Sequence, residues 1–400
     1  MSAGSVLVVG ASAAGLGVAE ALRRKGYAGQ LTVLGAEPHL PYDRPPLSKQ
    51  VLAGAWEPDR VMLRRQHVLD DLKAQFILGD PAVSLDTDSR LVRTAAGRAL
   101  AADAVVIATG LKPRMLPGGD GLGGVHVLRT LHDALALRAA LEHGLTTSAR
   151  VVVVGDGVLG AEIAATARGM GLDVTLAGPQ PRPLDMQFGP LVSGLLAGLH
   201  EQNGVTLKLG IGVDRIVGTH GQVTGVRLDG GEVLPADLVI VAVGAAPVTD
   251  WLNGSGLTLS NGVVCDRHCR AADGIYAAGD VARWHHDALG TTVRLENRTN
   301  ASEQGGAVAG AICGGTEPYA PVPYMWTDQH GVKIQVHGTL HPDAEVTIAD
   351  GDPEPGEQGK RRFVARFRRD GRVTGVLGWN MPKQTIQRRR EILADLAPAS

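Results

Sequence analysis

The sequence predicts an α/β chain: two βαβ halves with glycine-rich turns, followed by a smaller α+β domain. Three observations carry that expectation. Val6–Val9 is a short β-branched run that meets "GASAAG" (10–15), a helical stretch ending near Gly26, and a second apolar run at Leu31–Leu34. The same order recurs at 151–176 as "VVVVGDGVLGAEIAATARGMGLDVTL", again with a glycine sixteen residues after the first turn glycine (Gly26 and Gly171). After about residue 320 the pattern changes: "VKIQVHG", "FVARFRR" and "VTGVLGWN" alternate like antiparallel strands, and "KQTIQRRREILADL" reads as a terminal helix.

Between these units, "AVVIATG" (104–110), "LVIVAVG" (238–244) and "GIYAAGD" (274–280) are apolar strands that stop on glycine. Such strands suit sheets covered on both faces, where ligands lie beyond the carboxyl ends. Residues 112–124, with Pro113, Pro117 and five glycines, read as a crossover between domains; residues 250–274 form another linker-like run.

Four hundred residues exceed one core and suggest two or three domains. A hydrophobic fraction of 44% fits a soluble globular chain, and a net charge of −2 supplies no global field for nucleic acid or membrane. No stretch is apolar for the length of a bilayer span, and the apolar N-terminus lacks the basic segment of a secretion signal. Three cysteines, an odd number in a chain of this size, fit a reducing cytoplasm. The spacing Cys265-x-x-x-Cys269 suits neither the usual redox pair nor a zinc site, so these thiols read as structural and no metal is expected.

The turns carry the chemistry. In "GASAAG" the first glycine lets the chain turn and the last lets helix and strand pack closely, so the helix-start N–H groups are free to bind a pyrophosphate. Ser12 replaces the middle glycine, and a plain βαβ crossover competes; Glu37, just past the second strand, favours a ribose-binding site. "GDGVLG" (Gly155, Gly157, Val158, Leu159, Gly160) is a complete match, and Glu162 follows in the first helical turn, where a carboxylate suits the helix dipole but not an incoming phosphate. A functional role for Glu162 needs a cation from elsewhere. After the second strand of this half, Ala177-Gly178-Pro179-Gln180 bring no acid until Asp185, and Arg182 could tolerate a 2′-phosphate, so the choice between NADH and NADPH stays open. Asp280 ends a strand, where it could meet a hydroxylated ligand or cap a helix. Finally, "PYDRPPLSK" (41–49) stiffens itself with Pro45-Pro46 around Arg44 and Lys49, either as a rigid surface loop leading to a helix start at Ser48 or as a strut that aims two cations.

Together, a first dinucleotide turn near the N-terminus, a second near residue 150, the "ATG" and "AAGD" strand ends and a small C-terminal domain resemble the FAD-dependent pyridine-nucleotide oxidoreductases of the glutathione-reductase type, with two Rossmann-like domains. Within them, "PYDRPPLSK", "GDGVLGAE", "RLENRTNASEQG" (294–305) and "YMWTDQHGVKIQVHG" (324–338) resemble the ferredoxin, putidaredoxin and rubredoxin reductases that serve cytochromes P450 and ring-hydroxylating oxygenases.

The resemblance implies an FAD domain of residues 1–114 and 245–320, an NAD(P)H domain of 115–244 and a C-terminal interface domain of 321–400. It implies that Gly10, Ser12, Ala14 and Gly15 hold the FAD pyrophosphate and Glu37 its ribose, with Arg44, Lys49, Val83, Thr109, Gly110, Arg129, Asp280, Arg298 and Trp326 meeting the rest. Gly155, Gly157, Val158, Leu159, Gly160, Glu162, Arg182 and Gly244 fall to NAD(P)H, with NADH the first choice and NADPH open. Ser12 in place of a common glycine, and Arg298 where some members carry an aromatic residue, depart from the family pattern. Lys49 is expected beside flavin N5, paired with Glu162, its ammonium stabilising negative charge on the reduced flavin.

Disulfide reductases of this fold need a cysteine pair beside the flavin and peroxidases or oxidases need one such cysteine, yet no cysteine precedes residue 265. The expected acceptor is therefore an external iron–sulfur ferredoxin that feeds a P450 or other oxygenase. Residues 360–390 hold eleven Lys or Arg against one acid, Asp370, and are expected to dock it, although a solvated sheet edge would look the same. A monomer or weak homodimer is expected. The alternatives are an NAD(P)H oxidase or other flavoprotein reductase with a different acceptor, and a redox-sensing interaction protein resembling apoptosis-inducing factors.

Overall fold

The computed structural model describes residues 3–356 and 359–396. Its α-helices are α1 (Ala13–Arg24), α2 (Gln66–Asp71), α3 (Leu131–Thr147), α4 (Val158–Met170), α5 (Asp185–Gln202), α6 (Arg298–Ile312) and α7 (Pro382–Leu396). The chain divides into two units, residues 1–43, 59–112 and 246–321 in the first, and 44–58, 113–245 and 322–400 in the second.

The first unit is built on a six-stranded sheet. Ser5–Val9 lies between Gln30–Gly35 and Ala104–Ile107, with Gln75–Leu78 on one side and Ile275–Ala277 then Arg270–Ala272 on the other. All pairings except the last are parallel, so the carboxyl ends of Ser5–Val9, Gln30–Gly35, Ala104–Ile107 and Ile275–Ala277 share one edge. Buried on both faces, these strands read as unbroken apolar runs, as a covered parallel sheet requires. Helices α1 and α6 approach closely through small residues: a Cβ at Gly305 would stand 2.7 Å from the Ala14 carbonyl oxygen. Val83 lies on a separate three-stranded antiparallel sheet (Ala82–Asp86, Leu91–Thr94, Ala99–Ala101) and is half exposed.

The second unit repeats the plan. A five-stranded parallel sheet runs Thr206–Leu209, Asp173–Gly178, Arg150–Val154, Leu238–Val241, Val125–His126. The C-terminal segment forms a five-stranded antiparallel sheet in the order Tyr324–Gln329, Val332–Gly338, Arg372–Trp379, Arg362–Arg369, Glu345–Asp352. Helix α7 packs on it so tightly that a Cβ at Gly378 would stand 1.7 Å from Thr385 Oγ1. One face of this sheet shares a core with the dinucleotide half: Ile334, Val336, Phe363, Phe367 and Trp379 pack with Ala161 of α4 and with Leu184, Phe188, Val192 and Leu196. That shared core brings the Tyr324–Gln329 strand against α4.

The proline segment behaves differently from a plain extended strut. Pro45–Ser48 is a single 3₁₀ turn with prolines at its first two positions, closed by Lys49 N–H on the Pro46 carbonyl at 3.1 Å. Proline's fixed φ is preorganised for the start of a helical turn, where no N–H is needed, so Ser48 ends a turn here instead of starting a helix.

Candidate functional site

Each glycine turn is dictated by backbone sterics. Gly10 has φ +124°, and a Cβ there would stand 2.1 Å from the Ala108 carbonyl oxygen; a Cβ at Gly15 would stand 1.8 Å from the Gly10 carbonyl oxygen. Gly155 and Gly160 repeat the arrangement, with distances of 2.2 Å to the Ala242 and 1.8 Å to the Gly155 carbonyl oxygens. In both halves a side chain at the last glycine would push the helix off the strand.

In the first unit the sheet edge collects most of the expected residues. Ser12 stands at the N-cap of α1, its side chain making no capping bond, and no acid occupies the first turn, so the helix start presents N–H groups and a favourable dipole. Ala14 is buried, and a Cβ at Gly279 would stand 2.8 Å from its own Cβ. Glu37, just past Gln30–Gly35, accepts a hydrogen bond from the Tyr42 hydroxyl. Thr109 and Gly110 follow Ala104–Ile107, with Thr109 Oγ1 donating to the Val248 carbonyl at 2.8 Å and Gly110 at φ +68°. Asp280 sits in the short turn Gly279–Val281 that follows Ile275–Ala277. Arg298 opens α6 and donates from Nε to Asp43 Oδ1 at 2.6 Å. An open helix start, a carboxylate just past a strand end and glycine-lined strand ends fit a dinucleotide with a pyrophosphate.

The second unit holds Arg44, Lys49, Arg129 and Trp326 together with the expected NAD(P)H residues. Gly157 is the N-cap of α4, with open space where its Cβ would be; Val158 and Leu159 begin the helix, half-buried. Gly244 follows Leu238–Val241 at φ +90°, and its carbonyl accepts the Arg114 N–H at 3.0 Å. Arg44 Nη1 donates to the Arg129 carbonyl at 2.6 Å, while Arg129 N–H binds Asp133 Oδ2 at 3.0 Å beside the capping box at Thr130. Trp326 stacks on Tyr324 with ring centroids 5.8 Å apart. Arg182 is engaged by Asp185 at 3.1 Å and by the Pro190 carbonyl at 3.3 Å.

Glu162 is the centre of a buried polar network. Its carboxylate accepts Lys49 Nζ at 2.7 Å and Ser48 Oγ at 2.6 Å on Oε2, and Thr327 Oγ1 at 2.9 Å on Oε1. The Lys49 and Glu162 side chains are 13% and 6% exposed, so the pair is shielded from solvent and its attraction is strong. The 3₁₀ turn that places Lys49 is itself tied to α4 by Thr166 Oγ1, which donates to the Ser48 carbonyl at 2.8 Å.

Composition and motif reading did not single out the far side of this network. Gln329 Nε2 donates to Thr327 Oγ1 at 3.0 Å, and Gln329 Oε1 faces His200 Nε2 at 2.8 Å. Gln329 Oε1 is an acceptor, so His200 carries its proton on Nε2, leaving Nδ1 to accept from His330 Nε2 at 3.3 Å. Every hydrogen bond in the row His330, His200, Gln329, Thr327 therefore points toward Glu162. Burial lowers the pKa of both histidines, that of His330 to about 4 with a further push from His200, and raises that of Asp328, whose N–H faces Glu162 at 3.4 Å. Only the i, i+2 spacing of Thr327 and Gln329 on one strand face signalled this row.

All three cysteines are free thiols; burial pushes Cys269 up to about 12 and also raises Cys265, which suits structural residues. No group of three metal-ligating side chains occurs among the described residues, and no helix among them is long and apolar enough to cross a membrane. The basic C-terminal run is partly neutralised by acids distant in sequence: Arg366 pairs with Glu391 at 2.7 Å, Arg369 with Asp343 at 3.2 Å, and Arg388 with Asp350 at 2.8 Å.

Comparison with known proteins agrees with this architecture. Residues 4–305 match the family described as pyridine nucleotide-disulphide oxidoreductase, and residues 324–399 match a reductase C-terminal domain. Rhodocoxin reductase of Rhodococcus erythropolis is 32% identical over 98% of this chain and 90% of its own length. A ferredoxin–NAD(P)(+) reductase of a Sphingomonas species is 36% identical over 97% of this chain and 92% of its own. Among solved structures, the ferredoxin reductase for the CYP199A2 system from Rhodopseudomonas palustris superposes with a TM-score of 0.90 at 33% identity, covering 96% of this chain and 93% of that one. The reductase in the covalent putidaredoxin reductase–putidaredoxin complex gives 0.89 at 31%, covering 98% and 93%. The chain thus belongs to the pyridine nucleotide-disulphide oxidoreductases, among the ferredoxin reductases of that family.

Proposed function

We propose that this chain is an FAD-dependent NAD(P)H:ferredoxin oxidoreductase that passes electrons to an iron–sulfur protein serving a P450 or other oxygenase. The observation that carries the reading is the Lys49–Glu162 pair at 2.7 Å, mounted on the helix that opens at the complete Gly155–Gly160 turn. When bound, FAD supplies the redox chemistry, taking a hydride from NAD(P)H and releasing two electrons singly, so that one NAD(P)H reduces two ferredoxins with release of one proton.

The chain's own residues bind, orient and tune. The Gly10–Gly15 turn and α1 start would hold the FAD pyrophosphate, Glu37 the adenosine ribose, and Val83, Thr109, Gly110, Asp280 and Arg298 the remainder. The Gly155–Gly160 turn and Gly244 hold NAD(P)H. Lys49 contributes a fixed cation, and Glu162 keeps that cation oriented, with Ser48 and Thr327 satisfying its other lone pairs. Arg44, Arg129 and Trp326 complete the FAD set.

The acceptor is read as external because no cysteine precedes residue 265, and Cys265 and Cys269 are buried with raised pKa values. We place its docking on α7, where Ile386, Arg389, Arg390 and Leu393 are exposed at spacings of three, one and three residues, one helical face of apolar and basic groups. Three reduced thiols and a donor made by central metabolism suit a cytoplasmic setting.

The test is anaerobic stopped-flow reduction by NADH and by NADPH, followed by mixing with [2Fe–2S], [3Fe–4S] and [4Fe–4S] ferredoxins. Rapid flavin bleaching and ferredoxin-dependent cytochrome c reduction are expected. Absence of a flavin spectrum rejects the reading; NADH consumption with oxygen alone identifies an oxidase, and slow stoichiometric reduction with altered self-association identifies a sensor.

A further inference from the structure

The strand Asp173–Gly178 ends where a dinucleotide site ordinarily carries a carboxylate for the ribose 2′-hydroxyl, and it ends on glycine. The space is filled from the turn. A Cβ at Gly178 would stand 2.4 Å from Asp156 Oδ2, so the Asp156 side chain occupies the volume that a residue at 178 would need. Asp156 is the second residue of "GDGVLG" and is 5% exposed.

Its carboxylate is built into the loop. Oδ2 accepts the Gln180 backbone N–H at 2.7 Å and Oδ1 accepts Gln180 Nε2 at 2.6 Å, while the Asp156 carbonyl accepts the Leu184 N–H at 2.9 Å. Two donors use half of the lone pairs of a carboxylate, which leaves it able to accept from a hydroxyl. The neighbouring cations are already committed: Arg182 to Asp185 at 3.1 Å, and Lys208, on the adjacent strand, to Glu232 at 2.8 Å.

We propose that Asp156 is the specificity-determining residue of the nucleotide site, supplying from the turn the carboxylate that the strand lacks and so favouring NADH over NADPH. The inference rests on the reading of the Gly155–Gly160 turn as the NAD(P)H site. A 2′-hydroxyl offers this carboxylate a donor. A 2′-phosphate offers it only acceptors and like charge, in a setting of low exposure where that repulsion is weakly screened.

The experiment is isothermal titration of the FAD-loaded protein with ADP-ribose and with 2′-phospho-ADP-ribose, repeated on D156N and D185A. Wild type is expected to bind ADP-ribose at least about tenfold more tightly. D156N, which keeps the shape of the side chain, should narrow that ratio about tenfold, and D185A, which releases Arg182, should narrow it independently. Equal binding of both ligands by wild type overturns the role of Asp156 while leaving the nucleotide site intact. Equal weakening of both by D156N with an unchanged ratio also overturns it, assigning Asp156 to loop structure alone. Binding of neither ligand overturns the nucleotide site and the inference with it. Should D156N not fold, D156S takes its place in the same two titrations, and an unchanged ratio there overturns the role of Asp156.

Discussion

Lys49 Nζ lies 2.7 Å from Glu162 Oε2, although 113 positions separate the two in sequence. With both side chains largely buried, removing either one leaves the other as an uncompensated charge, at a typical cost of about 3–5 kcal/mol. Lys49→Met is expected to retain FAD and to slow flavin reduction by NADH about tenfold or more, read by anaerobic stopped flow. Unchanged reduction rates and flavin potentials in this variant would remove Lys49 from the mechanism.

The row from His330 to Thr327 should act on the same pair. His200→Leu frees the Gln329 amide to turn, so that Thr327 loses its fixed direction toward Glu162. Its effect on the flavin reduction rate should disappear when Thr327 is already Val, giving a coupling of about 1 kcal/mol in a double-mutant cycle. Additive effects would make His200 a packing residue only.

Acid should destabilise the second unit over a defined window. His200, His330 and His337 are held neutral by burial, the last two at about 4 against an ordinary value of 6.5. The unfolded chain binds protons that the folded one refuses, so their contribution is fully present above pH 6.5 and is lost as pH falls toward 4. The raised pKa of Asp328 has the opposite sign, contributing below the ordinary 3.8 and fading as pH rises. Urea denaturation between pH 7 and pH 4 should show falling midpoints; a flat profile contradicts the assignment.

The two turns can be separated by matched substitutions. Gly15→Ala and Gly160→Ala each place a methyl 1.8 Å from a carbonyl oxygen and should cost about 1–3 kcal/mol. Gly15→Ala is expected to lose FAD during purification, whereas Gly160→Ala should keep FAD and raise the KM for NADH. Absorbance at the flavin band and steady-state kinetics read the two outcomes, and loss of FAD in Gly160→Ala would contradict the division.

Docking on α7 makes a salt-dependent prediction. Arg389→Glu with Arg390→Glu should lower ferredoxin-coupled cytochrome c reduction at least several-fold at low salt while leaving ferricyanide reduction unchanged, and added salt should shrink the difference. Equal loss with both acceptors would locate the defect away from docking.

What could be read along the chain was what local backbone physics enforces. Gly10, Gly15, Gly155 and Gly160 announce themselves because no other residue fits a turn that brings a helix within contact of a strand, and the apolar runs around them mark parallel strands at sight. The antiparallel strands and closing helix after residue 320 were legible by their alternation for the same reason. The place of Glu162 near a helix start was readable, but there a carboxylate is already favoured by the dipole, and it lies beyond the first turn of α4, so its partner Lys49 had to come from the tertiary structure. Tertiary structure alone decided the rest. The row Thr327, Gln329, His200, His330 unites a strand and a helix some 130 residues apart, brought together by a core that includes Phe188, Leu196, Phe363 and Trp379. The basic run at 360–390 looked unopposed because Asp343, Asp350 and Glu391 lie outside it and reach it only through strand pairing and the packing of α7. Gly178 reads in sequence as the loss of a ribose-binding acid, and only the fold places the Asp156 side chain in the space beside it. Charge and hydrogen bonding act through space, over distances that sequence separation does not encode, whereas the sterics of a glycine turn are settled within a few residues.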